Sequence, residues 1–213
     1  LQRRRQRQMC IRDRALIAAF LCTMIAFLIN FTARYQGNKL LSFLSSTLML
    51  GYAVPGLILA IGITQLLTII DNSFYLFRID IILTGSLIGL IIAYIIKSYA
   101  LSNSTIESGF QRISNSIDDV SKTFNISGIK LMYKIHLPLL RTGLLTSILL
   151  VGSEVIKELP ATLILRPFNF ETLAVSAYNY ASEERMYEAA APSIAIVIVC
   201  LLYTSDAADD VAS

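Results

Sequence analysis

The chain is poor in charge: Asp, Glu, Lys and Arg make up only 15% of its 213 residues, where a soluble domain averages roughly 25%. A surface wetted on all sides is short of polar material at that level, which argues against an ordinary soluble globule. Histidine occurs once, at His136, and the three cysteines, Cys10, Cys22 and Cys200, show no metal-ligand spacing and no disulfide framework. No Gly-rich loop ending in Gly-Lys-Ser/Thr is present, which excludes a phosphate-loop nucleotidase. The net charge of +3 is too small for a nucleic-acid binder.

What the chain has instead is apolar material, 55% of all residues with a mean hydropathy of +0.63. That excludes a disordered chain and points to a lipid bilayer as the second solvent. Stretches with few charges fall at about 15–32, 51–70, 79–96, 142–165 and 189–203, and a bilayer core asks for about 20 apolar residues per helix. Five spanning helices are therefore expected, an all-α polytopic bundle, because lipid offers backbone groups no partner outside a helix or a closed barrel. Gly51, Gly56 and Gly62, with Gly85 and Gly89 at small-xxx-small spacing, either let helices approach closely or reflect ordinary glycine enrichment in membrane helices.

Orientation follows from the loops. Six basic residues lie in 97–141 (Lys97, Arg112, Lys122, Lys130, Lys134, Arg141), and Arg34 and Lys39 lie in 33–50 without an acid. These two loops belong inside. The segment 71–80 holds Asp71, Arg78 and Asp80, and the stretch 158–188 sets Glu158, Glu171, Glu183, Glu184 and Glu188 against Arg166 and Arg185, which places both outside. Five alternating spans satisfy all four loops, with the end of the last helix in the cytoplasm. The arginines at 3, 4, 5, 7, 12 and 14 then fall on the wrong side. Residues 6–14 and 200–210 also resemble translated sequencing-adapter read-through, so 1–14 and 204–213 are expected to lie outside the native domain, and an earlier helix is expected to be missing; the alternatives are a genuine basic amphipathic lead with an acidic tail, or a signal-peptide n-region.

The polar segment between the third and fourth runs is too long for an idle connection. Ser116-Ile117-Asp118-Asp119 reads as a capping signature, with Ser116 accepting from the backbone of Asp119 and the carboxylates at a positive helix terminus. The helix it opens should end near Asn125, a residue that tolerates the left-handed region. Ser127 is placed to cap a second helix in which Ile129, Met132, Tyr133 and His136 share one face and Lys130 and Lys134 another. Pro138 then opens the next membrane helix. Taken by itself, the loop also fits an amphipathic helix resting on anionic lipid through Lys122, Lys130 and Lys134.

Asp119-Val120-Ser121, Asn125 four positions later and Ile135-His136-Leu137-Pro138 resemble the cytoplasmic Glu-Ala-Ala loop of binding-protein-dependent ABC importer permeases. That pattern has Glu, Ala, Ala and Gly where this chain has Asp119, Val120, Ser121 and Asn125, so an acid and a turn-forming residue are kept. Lys157-Glu158-Leu159-Pro160 through Phe168, then Glu171-Thr172-Leu173-Ala174 and Ala181-Ser182-Glu183-Glu184-Arg185, resemble the C-terminal half of ferric-iron importer permeases, as does Gly51-Tyr52-Ala53-Val54-Pro55-Gly56. The resemblance implies a permease domain over 15–203 and a chain that is one half of a longer polypeptide. It also implies partners: a dimeric ATPase, a periplasmic substrate-binding protein and a second permease half. The 116–137 segment, with Ser116, Asp118, Asp119, Val120, Ser121, Asn125, Ile129, Leu137 and Pro138, would be the coupling loop that docks on the ATPase; no cofactor is implied. Thiamine, sulfate or a polyamine are alternative substrates within this class. Outside it stand a passive helical channel or structural membrane protein, and an intramembrane enzyme, for which no catalytic constellation is present.

Three charges stand in or near the fourth apolar run: Glu154, Lys157 and Glu158. Unpaired, each costs roughly 2.5–3.5 kcal/mol on insertion scales, so they should face protein or a water-filled path. If the helix continues, Glu154 and Glu158 share a face and offer oxygen ligands to a hard cation such as ferric ion. The alternatives are a structural pair of Lys157 with Glu154, or a position at the outer membrane boundary before Pro160.

Overall fold

The computed structural model describes residues 2–36, 39–76, 83–124, 126–168 and 170–212. Among them all regular structure is helical: α1 (Gln2–Gln36), α2 (Lys39–Met49), α3 (Gly56–Leu76), α4 (Leu87–Arg112), α5 (Asn115–Thr123), α6 (Ile129–Leu131), α7 (Leu137–Leu139), α8 (Arg141–Lys157), α9 (Pro160–Leu165), α10 (Leu173–Ser182) and α11 (Met186–Ala212). A single 3-10 turn, Leu50–Ala53, leads into α3, and a π-helical turn, Met132–His136, joins α6 to α7.

Among the described residues three helical stretches are long and apolar enough to cross a bilayer, Ala15–Tyr35, Gly56–Tyr75 and Leu87–Arg112, and Arg141–Lys157 passes the same length and composition test only when joined to Ile129–Leu139 across a 73° bend. The last apolar run forms the shorter apolar helix Met186–Leu201. The expected five runs thus all appear as helices in the expected order, but three to four reach spanning length. Arg78 and Asp80 of the expected outer loop lie outside the described residues. Asp71 is not in that loop; it sits on α3 and accepts from the backbone N–H of Leu83 and Thr84 at 2.8 and 2.9 Å.

Two expected loops are largely helix. The 33–50 segment contains α2, and 97–141 begins with the second half of α4. The reason lies in how α4 hides its polar residues. Tyr99, Ser102, Asn103, Ile106 and Phe110 recur at helical spacing and are all buried. Lipid gives their polar atoms no partner, so neighbouring helices do. The Ser147 hydroxyl of α8 meets Thr23 of α1 at 3.0 Å and Ser102 at 2.9 Å; Asn30 donates to Asn103 Oδ1 at 2.8 Å; and Tyr99 meets Ser45 of α2 at 3.0 Å. This polar seam pins α1, α4 and α8 together. Beside it the small residues Ala15, Ala18, Ala19, Cys22 and Ala26 line the buried face of α1, which allows the close approach such packing needs.

Candidate functional site

The segment after α4 is a hairpin of short helical pieces. Its first helix opens one residue before Ser116: the Ser114 hydroxyl accepts from the Ser116 N–H at 3.3 Å. Ser116 is therefore not the cap, because it already lies inside the helix. Asp118 does occupy the first turn, where a carboxylate is favoured by the helix dipole. Ser121 is buried and its hydroxyl turns back to the Ile117 carbonyl at 2.6 Å, while Asp119 and Val120 face outward. Asn125 lies outside the described residues; on either side of it, the Ile126 N–H reaches the Ser121 carbonyl at 3.0 Å and closes α5.

The second arm departs from the expected single amphipathic helix. Ser127 is not its cap: Gly128 precedes α6 at φ 58°, a conformation open to glycine, with no side-chain cap bond. The π-helical turn then widens the period, so Leu131, Met132 and His136 point inward while Ile129 and Tyr133 point out. Pro138 sits in α7, not in the membrane helix, which begins at Arg141 after the 73° bend. Leu137 packs half-buried against the core. The loop therefore presents an apolar outer edge, with Val120 54%, Phe124 74%, Ile129 72% and Tyr133 59% exposed.

Behind that edge lies a charged cluster that sequence reasoning missed. Arg34, counted only as an inside-loop cation, donates from Nε to Asp118 Oδ2 at 2.7 Å and from its terminal nitrogens to the carbonyls of Phe110, Ile113 and Ser114. His136, expected only on one face of the second helix, is buried with Nε2 2.9 Å from Asp118 Oδ1. Burial pushes its imidazole below the ordinary value; Asp118 pulls it up and Arg34 pushes it further down. Next to the cluster opens a cavity of about 490 Å³ bordered by Asn30, Arg34, Glu107 and Gln111.

The three intramembrane charges are not brought together. Helix α8 ends at Lys157 and Glu158 is extended, at φ −70° and ψ 115°, because Pro160 restarts the chain as the first residue of α9. The expected shared face of Glu154 and Glu158 is thereby lost, and the run 142–165 is one helix broken in two. Glu154 pairs with Lys157 at 2.7 Å, whereas Glu158 is buried against Lys97 of α4, which sequence reasoning had placed in the inner loop. Beside this pair, Thr162 donates to the Glu158 carbonyl at 2.8 Å and meets the Tyr94 hydroxyl at 2.7 Å. On the far side of α10, Glu184 takes φ 60° and the Arg185 N–H reaches the Tyr180 carbonyl at 2.9 Å, which gives the Ser182-Glu183-Glu184-Arg185 motif its turn.

A polytopic helical membrane protein with a buttressed, outward-greasy loop before its bent helix is the class that fold and site define. The chain belongs to the family of binding-protein-dependent transport system inner membrane components, whose pattern matches residues 17–207; it is a multi-pass permease of the ABC importer type. Among its relatives are the Fe(3+)-transport system permease protein of Haemophilus influenzae, 23% identical over 86% of this chain and 34% of that protein, and a protein of Salmonella typhimurium provisionally named a 2-aminoethylphosphonate transport system permease, 26% identical over 88% of this chain and 66% of that protein. The chain thus spans about a third of the first and just under two thirds of the second. The fold is shared with a chain of the inward-facing MetNI methionine ABC transporter, at a TM-score of 0.64 and 13% identity over 98% of this chain and 96% of that one.

Proposed function

We propose that this permease moves ferric iron from a periplasmic binding protein to the cytoplasm, and that ATP hydrolysis by a separate dimeric subunit drives it through the loop 116–137. The carrying observation is the loop itself: four exposed apolar side chains, Val120, Phe124, Ile129 and Tyr133, on a backbone tied down by Arg34 and Asp118. Loose lipid contact needs no such anchoring; a docking surface that transmits force does. In this reading Ser116, Asp118, Asp119, Val120, Ser121, Asn125, Ile129, Leu137 and Pro138 build the coupling loop, residues 15–203 form the permease domain beside a second permease half, 158–188 faces the binding protein, and the last helix ends in the cytoplasm.

Support for ferric iron comes from two relatives, the Haemophilus protein and the ferric transport system permease protein of Actinobacillus pleuropneumoniae, the latter 29% identical over 62% of this chain. The Salmonella relative supports a second reading, a phosphonate permease, at comparable identity. Uptake by proteoliposomes holding the complete importer separates them: accumulation of ferric iron but not of 2-aminoethylphosphonate is expected, and the reverse selects the second reading. Deleting 118–126 tests the coupling. Persistent uptake with the ATPase still co-purifying would mean that force enters elsewhere.

For the path itself, Glu154 and Lys157 are the stronger candidates, since Lys157 is half exposed, while Glu158 is already neutralised by Lys97. Glu154→Gln and Glu158→Gln, compared at equal membrane abundance, are expected to slow uptake in the first more than in the second. Wild-type rates in both exclude a carboxylate relay.

A further inference from the structure

Building on the coupling reading, we propose that Arg34, Asp118 and His136 are positioning residues: they make the coupling loop, α1 and the end of α4 move as one body, and Asp118 is the branch point from which motion also reaches α8.

Asp118 uses its two oxygens on two different parts of the chain. Oδ2 takes the Arg34 Nε donor at the cytoplasmic end of α1 at 2.7 Å, and Oδ1 lies 2.9 Å from His136 Nε2 on the returning arm. Arg34 places its remaining donors on the carbonyls of Phe110 at 2.8 Å, Ile113 at 3.0 Å and Ser114 at 3.2 Å. A helix leaves its last carbonyls without partners, so these bonds close the end of α4 onto α1. The planar guanidinium fork holds all of them at fixed angles, which an ammonium cannot do.

The second arm is held by burial and ring contacts. His136 is 1% exposed, and its ring lies 5.4 Å from that of Phe31 on α1 and 5.5 Å from that of Phe110 on α4. Among the described residues its Nδ1 has no partner, and the 2.9 Å approach of Nε2 to Asp118 Oδ1 is a close polar contact without hydrogen-bond geometry. Three residues further on, α7 ends at the 73° bend into α8. A load applied at Val120 and Phe124 therefore has two exits, the first of them hydrogen-bonded throughout. One runs through Arg34 into α1 and α4; the other runs through His136 and the bend into α8. Cutting either leaves the greasy edge free to grip a partner while its motion is lost inside the loop.

The test uses the complete importer in nanodiscs, with whichever of ferric iron or 2-aminoethylphosphonate the wild type transports. In Arg34→Gln the ATPase should still co-purify and hydrolyse ATP, and both there and in Asp118→Ala substrate moved per ATP falls by roughly tenfold; Asp118→Glu should restore most of it and Arg34→Lys only part. A spin-label pair at Thr123 and Phe20 should keep its distance on ATP binding in the wild type and change it in Arg34→Gln. An unchanged substrate-to-ATP ratio in both variants overturns the proposal, and so does an ATP-driven change of the wild-type label distance. If the variants fail to assemble, the wild-type distance decides alone. The 118–126 deletion separates the two levels: persistent uptake removes the coupling reading itself, whereas lost uptake with a normal ratio in Arg34→Gln removes only the joint.

Discussion

Glu158 and Lys97 face each other inside the helix bundle, the carboxylate from the break between α8 and α9 and the ammonium from α4. The Glu158 side chain is 7% exposed and that of Lys97 18%, so each is the other's counter-charge in a medium that tolerates neither alone. Removing one partner of such a pair typically costs about 3–5 kcal/mol, because the survivor stays buried and unpaired. Lys97→Met and Glu158→Gln are each expected to lower the melting temperature of the purified protein sharply, and the double variant to recover most of the loss. Equal and additive losses would show that the two side chains do not act as a pair.

Gly56 explains how α3 comes so close to that pair. A Cβ there would stand 2.5 Å from Glu158 Oε1 and 3.2 Å from Lys97 Nζ, so Gly56→Ala must push either α3 or the carboxylate aside. Overpacking of this kind costs roughly 1–3 kcal/mol. Gly62, two turns further along the same helix, meets nothing within 4 Å, and Gly62→Ala should stabilise by about 0.5–1 kcal/mol through helix propensity alone. Thermal unfolding of the two variants side by side checks the sign difference.

The polar seam predicts a graded response. Ser147→Ala removes one hydroxyl shared by Thr23 and Ser102, two interhelical bonds worth about 0.6 kcal/mol each on the average in membranes. Asn103 instead accepts from Asn30, Tyr99 and Ser45 and donates toward Glu107. Asn103→Ala strips α1 and α2 of partners and breaks two bonds within α4 at once, and should cost more. Comparable unfolding midpoints for the two variants would argue that the seam is incidental.

This seam also marks the limit of what the residue pattern discloses. Apolar runs placed all five long helices, since exclusion from water is a property of composition. The same criterion ended α4 near residue 96, although Ser98, Ser102 and Asn103 are buried; the partners of Ser102 and Asn103 come from α1, α2 and α8, and no local pattern encodes that. That a helix opens near Asp118 was readable, but its cap was not: Ser114, and not Ser116, accepts from the first turn. The counterpart of Asp118, His136, was not readable either, because the π-helical turn moves Ile129 and Tyr133 off the face that a 3.6-residue period assigns them, and because Arg34 lies 84 residues away in sequence from its partner Asp118. Likewise Pro160 announced a restart of the chain, but not that Glu158 would swing out of the helix to reach α4.

The acid sensitivity of the loop follows from His136. Its pKa is lowered chiefly by burial, so the folded protein holds the imidazole neutral while the unfolded chain protonates near the ordinary value of 6.5. Protons therefore bind the unfolded state more readily, and stability falls as pH drops through and below that range. Asp118, 2.9 Å away, favours the charged ring and Arg34 opposes it, so the slope depends on both. Hydrogen exchange in 129–139 should accelerate as the pH is lowered from about 7.5 to about 5.5, beyond the intrinsic change in exchange rate. His136→Gln, which cannot gain a proton, should flatten that dependence, and Asp118→Asn, which removes the charge favouring imidazolium, should steepen it. A wild-type slope in His136→Gln would place the acid-sensitive group elsewhere.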